Sequence, residues 1–521
     1  MKRQIVNIIN FIRAVEPRVE TDLVTPVLKQ IELLKAYGFK GTFLLQYDAL
    51  IEPVYQDILK ELDSEQFELG IWLEIVEPLT KKAGIKWTGR FPWDWHAHCG
   101  FSVGYTLKQR ELMADIIMED FKAVFGCYPK VMGSWAFDAH TLKYLNDKYG
   151  LDAACNCKEQ WGTDGYTLWG GYYNQGYYPS AKNVYCPAST EKQQINVPVF
   201  RMLGSDPIYQ YDVGLDLNTG ASERQSVVTL EPVYTGTGGG GGEPVWVDWY
   251  LDTNFNGDCL SFGYTQVGQE NSFGWDSMKD GLAYQFKKLK ELQEQGRLEI
   301  ETLGETGRWY KSTFPMTPAS AVTAYSDWLK TDKRSVWFNC KNYRINLYAD
   351  KKTFWIRDIY VFNEDYPERY RDEVCTEDFL QFDNLPVMDG NRWSGNKVRA
   401  GLYPCKADGG DSPLTFTDMK YSEKDGIAEV VFAGTEIGNL SFCLCEDKIR
   451  ITADKNFKLC TKLNRKAKGL PEAAVKGNEV QLTHRGFEYK VKALLGRIDK
   501  DFNITSEGGT IELTFPKTES E

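Results

Sequence analysis

Residues 4–12 (Gln-Ile-Val-Asn-Ile-Ile-Asn-Phe-Ile) form an almost unbroken apolar run, and beyond them Val24, Val27, Leu28, Ile31 and Leu34 recur at helical spacing up to Gly38. The first pattern predicts a strand covered on both faces, the second an amphipathic helix that packs against it. A second buried strand is expected at 41–46, a short helix at 51–62 and a third strand at 67–73. Strand and helix alternating at this spacing are the signature of a parallel sheet built from βαβ units. After a Trp-rich insertion the alternation resumes. Thr106 and Gln109 form a capping box, and Leu112, Ile116, Phe121 and Val124 supply an apolar stripe ended by Gly126. Further strands are expected at 130–135, 151–157, 197–203, 260–267 and 298–302, with helices at 139–149 and 276–295, giving roughly eight strands. No regular helix is expected in 158–196 or 204–258, which read as long loops, with a mobile Gly-rich tip at 236–242.

From about residue 320 the helical period gives way to short alternating runs at 336–340, 345–348, 354–356, 428–432, 440–445 and 511–515. The expected architecture is therefore an α/β chain. Residues 1–318 make a (β/α)7–8 TIM-like barrel with long loops and a catalytic character, and residues 319–521 make a β-rich, sandwich-like domain.

Side-chain parity nominates a site, because alternate residues of a barrel strand point into the lumen and barrel sites form where strands end. In the third strand Phe67, Leu69, Ile71 and Leu73 suit the helix layer, leaving Glu68, Gly70, Trp72 and Glu74 inside, with Glu74 at the mouth. In the second strand Thr42, Leu44, Gln46 and Asp48 share the inward parity. The segment after the first strand brings Asn10, Arg13, Glu16 and Arg18 beside the mouth. Glu270, after the seventh strand, has no evident structural task, whereas the neighbouring Asp276 is expected to cap a helix. Asp138 is a reserve acid that also sits where an N-cap belongs. Arg201 interrupts an apolar strand and needs an acidic partner, either a catalytic carboxylate or a structural one.

Composition sharpens this. Aromatic residues make up 14% of the 521 positions, including 15 Trp and 29 Tyr, and they crowd into 87–105 and 161–178. Flat aromatic faces pack against the C–H faces of sugar rings, so Trp72, Trp93, Trp95, Trp135 and Trp161, with Asp94, His96, Asp164 and Asp206, join Asn10, Arg13, Glu16, Gln46, Asp48 and Arg201 as candidate substrate contacts, and Trp169 joins the same set of sugar-stacking aromatics. A net charge of −12, from 73 acidic and 61 basic residues, offers no basic stripe for nucleic acid. No apolar run is long enough to insert in a membrane. The twelve cysteines include two C-x-C pairs, Cys155/Cys157 and Cys443/Cys445, which read as buried thiols rather than metal ligands. Reduced thiols and the absence of a signal-like start suggest a cytoplasmic protein, or an exported one whose signal was removed. No cofactor is called for. His96-Ala-His98 with Asp94 is the one metal alternative, weighed below packing or substrate contact.

Several stretches resemble a bacterial family of saccharolytic anaerobes in which a barrel domain of unknown function precedes a smaller domain. These are Ile9-Asn10-Phe11-Ile12-Arg13 with Glu16-Pro17-Arg18, Thr42 through Asp48, Trp161 through Gln175, and Arg201 through Tyr209. More faintly, the barrel half is similar to the superfamily joining polysaccharide deacetylases to two families of glycoside hydrolase, which implies a seven- or eight-stranded barrel. Deacetylases of that group use an Asp pair after the first strand and a His pair after the third to hold a metal; here Asn10 and Arg13, and Trp72, Glu74 and Glu77, occupy those places. The function expected is therefore a metal-independent glycoside hydrolase with Glu74 and Glu270 as its carboxyl pair and Asp138 in reserve, acting on an oligo- or polysaccharide. The alternatives are a sugar-binding or scaffold protein on a degenerate barrel, and a metal-dependent deacetylase-like hydrolase.

Overall fold

In a computed structural model, residues 2–157, 160–163, 166–211, 228–236, 238–395 and 398–516 are described, with backbone alone at 160–163 and 166. Seven strands make a nearly closed parallel barrel, in the order sixth (Val199–Arg201), fifth (Ala153–Asn156), fourth (Val131–Ser134), third (Phe67–Trp72), second (Gly41–Leu45), first (Gln4–Ile12) and seventh (Gly263–Val267). The expected eighth strand is present but short. Glu299–Glu301 pairs with Ile5–Asn7 of the first strand, whose upper half, Ile9–Ile12, pairs with the second strand instead. It is therefore a wedge at the bottom of the barrel and does not close the ring. The first strand is central, so it is buried along its whole length and reads as a continuous apolar run.

Helices Thr25–Tyr37, Leu107–Phe125, Ala139–Tyr149 and Trp275–Glu294 cover the outside. Gly38 stops the first of them in a left-handed conformation, and the Thr106/Gln109 capping box is formed. Residues 51–62 begin a turn earlier than expected and break at Glu52 into Tyr47–Ile51 and Pro53–Lys60. Asp276 is not the cap of the last helix: Gly274 holds the N-cap position, and Asp276 lies in the first turn paired to Lys279.

Two expectations for the long loops are corrected. A helix does form at Pro244–Asn254, burying Trp246, Val247, Tyr250 and Leu251. Its aromatic, β-branched sequence has poor intrinsic helix propensity and is helical because one face packs. Gly239, Gly240 and Gly241 are not a free tip. Gly241 donates to the Thr229 carbonyl and accepts from Gln285, and an added Cβ would lie 2.2 Å from the Leu230 carbonyl oxygen. The glycines are there for close backbone approach. No helix among the described residues is long and apolar enough to cross a membrane.

Beyond the barrel, two antiparallel sheets of nine and eight strands face each other, beginning with Ser320–Ala324. Phe354 stacks on Phe432 across the gap at 4.0 Å, so the β-rich half is a sandwich with its own core. In the first sheet the other parity is polar yet also buried: Trp337, Arg344, Asn346 and Arg357 face the barrel loops. Arg344 makes two bonds to Asp358 at 2.9 and 3.1 Å and reaches the Gly171 carbonyl; Arg357 reaches the carbonyls of Pro207 and Ile208; Trp337 stacks on Tyr173 at 4.1 Å. The second aromatic-rich segment therefore serves this interface as far as it is described. Trp169 is fully buried and donates to Asp389, away from any sugar-accessible surface. The Cys155/Cys157 thiols are buried, whereas Cys443 and Cys445 are only half-buried, with their sulfurs 3.8 Å apart.

The seventh strand ends at Gly268, whose φ is +119° and whose missing Cβ would lie 1.9 Å from the Ile9 carbonyl oxygen. This close approach aims the following residues across the mouth. Gly268→Ala is expected to cost at least ~2 kcal/mol, from backbone strain and a clash with a central strand, read as a lowered urea midpoint. A midpoint equal to that of the parent would contradict this account of the crossing.

Candidate functional site

The site is built on Arg13, one residue past the first strand. Its Nη2 lies 3.3 Å from Glu74 Oε2 and 3.1 Å from Glu270 Oε2, and its Nη1 lies 3.7 Å from Glu16 Oε2. The parity reading of the third strand and the elimination reading of Glu270 thus bring both acids to one guanidinium. Each carboxylate sits on an oxygen within reach of the same nitrogen, so those two oxygens are no more than about 6.4 Å apart. Arg13, Glu74 and Glu270 are 1%, 1% and 2% exposed.

Local structure fixes each member. Asn271 pairs with the Arg13 peptide as a neighbouring strand would: its Oδ1 accepts from Arg13 N at 2.9 Å and its Nδ2 donates to Arg13 O at 2.8 Å. Ser272 Oγ donates to Glu270 Oε1 at 2.5 Å. Gln46, at the end of the second strand, donates to Glu74 Oε2 at 3.2 Å. Asn10 Oδ1 accepts from Gln269 N at 3.2 Å. Asp48 accepts from the backbone N–H groups of Ala14 and Ala49. Glu16 is clasped by Arg18 through two side-chain bonds of 2.8 Å. Polar atoms of this cluster that are enclosed with no hydrogen-bond partner include Asn10 Nδ2, Gln46 Oε1, Arg13 Nε and Gln269 Nε2.

Aromatic rings line the cluster above and below. Trp72 stacks on Phe11 at 3.8 Å, and Trp135 meets both edge-on at 5.5 and 5.7 Å, which makes the lumen floor. Trp93 lies over Arg13 at 4.0 Å and forms the cover. Arg18 lies over Trp93 and Trp95, and beyond them Phe91 and Trp95 present a stacked pair at the rim, with Phe91 exposed.

Electrostatics follow from burial and a shortage of cations. Burial pushes the Glu74 and Glu270 carboxyls up against the opposing pull of Arg13, and their mutual repulsion adds to the rise at Glu74. Asp48 is pushed up by burial to about 7. Burial alone would depress Arg13, yet Glu270 and Glu74 outweigh it and hold the guanidinium above its usual range. At Glu16 burial is likewise outweighed, by the Arg18 bonds, and the carboxyl is lowered.

The remaining nominated residues are placed elsewhere. Asp138 caps helix Ala139–Tyr149, accepting from Thr141 N at 2.9 Å, and is tied to Ser102 Oγ at 2.5 Å and Arg110 at 3.1 Å. Asp94 is buried under Arg90, whose bonds outweigh burial and lower it to about 2. Asp206 spends both oxygens on structure: one accepts from Ile208 and Tyr209 N, the other from Trp246 Nε1. Arg201 is buried and donates Nε to the Leu203 carbonyl at 3.4 Å. His96 Nδ1 lies 3.3 Å from Asp378, a residue of the C-terminal half, and 4.0 Å from Asp94. Trp161 is described by its backbone only, and Asp164 lies outside the described residues. Parity had no means of finding Asn271, Ser272 or Asp378, since their contacts depend on loop paths.

The mouth does not suit a catalytic metal of the deacetylase kind. Where such an ion would be gathered by an acid pair and imidazoles, this chain places the Arg13 guanidinium between its acids. No step through a metal is derived at this position.

No family model matches the chain, and no curated protein matches it. Among solved structures, a candidate glycoside hydrolase/deacetylase from Parabacteroides distasonis aligns with a TM-score of 0.57 at 14% identity, covering 74% of this chain and 90% of that one. A candidate polysaccharide deacetylase from Mycobacterium smegmatis aligns at 0.36 and 14% identity, over 61% and 93% of the two chains. At 14% identity the first likeness is one of fold alone, and it agrees with the seven- or eight-stranded barrel expected from the sequence.

Arg13→Met strands two or three buried carboxylates without a counter-charge. The expected cost is ~3–5 kcal/mol at pH 8 by urea denaturation. The cost shrinks at pH 5, because loss of Arg13 raises the folded-state proton affinity of Glu74 and Glu270 further and protonation relieves the uncompensated charge. An equal loss at both pH values would show that packing, not charge, is what Arg13 supplies.

Proposed function

We propose that the chain is a carbohydrate-active enzyme that hydrolyses glycosidic bonds with Glu74 and Glu270, without a metal. The observation that carries this reading is the pair of buried acids sharing one guanidinium. Arg13 reaches both Glu74 and Glu270, and two carboxylates sharing that cation in a dry site retain a proton between them. Glycoside hydrolysis needs that asymmetry: one carboxylic acid to protonate the leaving oxygen and one carboxylate to attack or to stabilise the oxocarbenium-like transition state.

Glu270, which accepts from Ser272 and Arg13, is the ionised member, and Glu74 is the proton donor. Carboxyl groups of retaining enzymes stand ~5–5.5 Å apart and those of inverting enzymes ~6.5–9.5 Å. The 6.4 Å ceiling on two of their oxygens places the pair within reach of a two-carboxylate mechanism and admits either spacing. The unpartnered Asn10, Gln46 and Arg13 atoms are groups a sugar's hydroxyls would satisfy, and the Phe91/Trp95 surface suits ring stacking at the rim. The substrate class is an oligo- or polysaccharide, with residues 1–318 as the catalytic unit.

One observation favours a second reading, a sugar-binding or scaffold protein on a degenerate barrel: the acids are sealed, and Trp93 closes the mouth. A panel of aryl glycosides and mixed oligosaccharides, run with and without chelator, separates the two. Turnover that falls at least ~10²-fold in both Glu74→Gln and Glu270→Gln, with oligosaccharide binding kept, is the expected result. Binding without turnover on any glycan moves the assignment to the second reading, and turnover abolished by chelator overturns the metal-free mechanism.

A further inference from the structure

Outside the barrel mouth, one cluster of ligating side chains joins the two halves of the chain. His96 and His98 belong to the Trp-rich loop after the third strand. Asp378 belongs to the C-terminal half. The Nδ1 atoms of both imidazoles lie 3.3 Å from Asp378 Oδ1, and the three residues offer one ligand atom each within 4.8 Å of one another. We propose that His96, His98 and Asp378 bind a transition-metal dication of the zinc class, with water completing the coordination, and that the ion pins the Trp-rich loop to the C-terminal half.

The geometry carries the proposal in three ways. Zinc–ligand bonds of about 2.0–2.2 Å in a tetrahedron set ligand atoms about 3.3–3.5 Å apart, and both His–Asp edges already have that length. Neither His–Asp contact is aligned as a hydrogen bond, and His98 Nδ1 is enclosed with no hydrogen-bond partner. A buried ring nitrogen left in that state costs free energy that an ion on the Asp378 side recovers. The ligand-bearing segments are also held in place by backbone: Ala97 N donates to Asp378 O at 2.8 Å and His98 N to Glu377 O at 3.1 Å. The three groups therefore come together without the ion and keep little entropy to lose on binding.

The ligand set is chemically selective. Two imidazoles and one carboxylate suit zinc, copper or nickel, not magnesium or calcium, which prefer all-oxygen sites. The side chains of His96, His98 and Asp378 are 21%, 26% and 55% exposed, which leaves a path for the ion and an open coordination position. Asp94 stands behind the site: its Oδ1 accepts from His96 N at 3.2 Å while Arg90 neutralises it. The site is separate from the barrel mouth, where Arg13 is the cation.

The full-length chain, stripped with chelator and dialysed, is titrated with Zn2+ alone by calorimetry. One saturable site per chain is expected, weakened at least tenfold by His98→Ala and by Asp378→Asn, with no comparable heat from Mg2+. A melting temperature raised by Zn2+ in the parent and unmoved in Asp378→Asn is the companion readout. Asp378 is exposed, so that variant keeps the fold, which far-UV circular dichroism checks. Absence of saturable Zn2+ binding, or an affinity unchanged in both variants, overturns the proposal.

Discussion

One guanidinium holds the mouth of this barrel together. Arg13 is buried, and burying it is tolerable only because Glu74, Glu270 and Glu16 surround it. The acids in turn are tolerable only because Arg13 and Arg18 are there. Each strand end that contributes to the ring is thereby held to a position set by charge and not by shape alone: Glu74 from the third strand, Gln46 from the second, and Glu270 with Asn271 from the turn after the seventh. That turn crosses the first strand closely enough that only glycine fits at 268. A site with this construction is rigid before any ligand arrives, which is what an electrostatically preorganised site requires.

The C-terminal sandwich is bound to the barrel by the same means. Its first sheet carries Arg344 and Arg357 on a face that would be polar and wet in an isolated sandwich. The loops after the fifth and sixth barrel strands cover that face and present Asp358-linked tyrosine, backbone carbonyls and stacked rings to it. A second junction runs through Glu368 of the C-terminal half, which accepts from Ala139 N and Val184 N and, by burial and the neighbouring Asp138, is pushed up to about 8. With buried polar groups satisfied only across the junction, separating the two halves would expose unpaired charge as well as apolar surface.

How much of this the sequence made legible depended on whether the signal was local. The inward parity of Gln46 and Glu74 was readable because a strand's alternation is a property of consecutive residues. Glu270 was found by elimination, since its neighbours had structural tasks and it had none. What stayed hidden depended on pairing at a distance. Asn271 docks on the Arg13 peptide 258 positions away, and Asp378 reaches the His pair from another half of the chain. The aromatic clusters misled in an instructive way: the composition that suits a sugar site also suits a large buried interface, and Trp169 went to the interface. Helix Pro244–Asn254 was missed because packing, not propensity, makes it.

The cover over Arg13 is less secure than its burial suggests. Trp93 contributes a cation–π contact worth ~0.5–2 kcal/mol, and Arg18 adds a second over the same ring. Lifting the indole loses those contacts but returns water to a guanidinium, two carboxylates and the amide atoms of Asn10 and Gln46 that have no partner, which offsets part of the cost. The loop that carries Trp93 is fixed at its base by Ile75 N to Gly100 O and Glu77 N to Pro92 O, and at its far side by the backbone pairing to residues 377 and 378. Pro92 is itself one of those anchors, so the stretch between fixed points that carries Trp93 is short. Opening of that stretch alone would present the exposed Phe91 and the half-buried Trp95 on the same side as the uncovered acids. A closed, charge-balanced barrel mouth and an aromatic rim thus adjoin along one short segment, with the Trp93 ring between them.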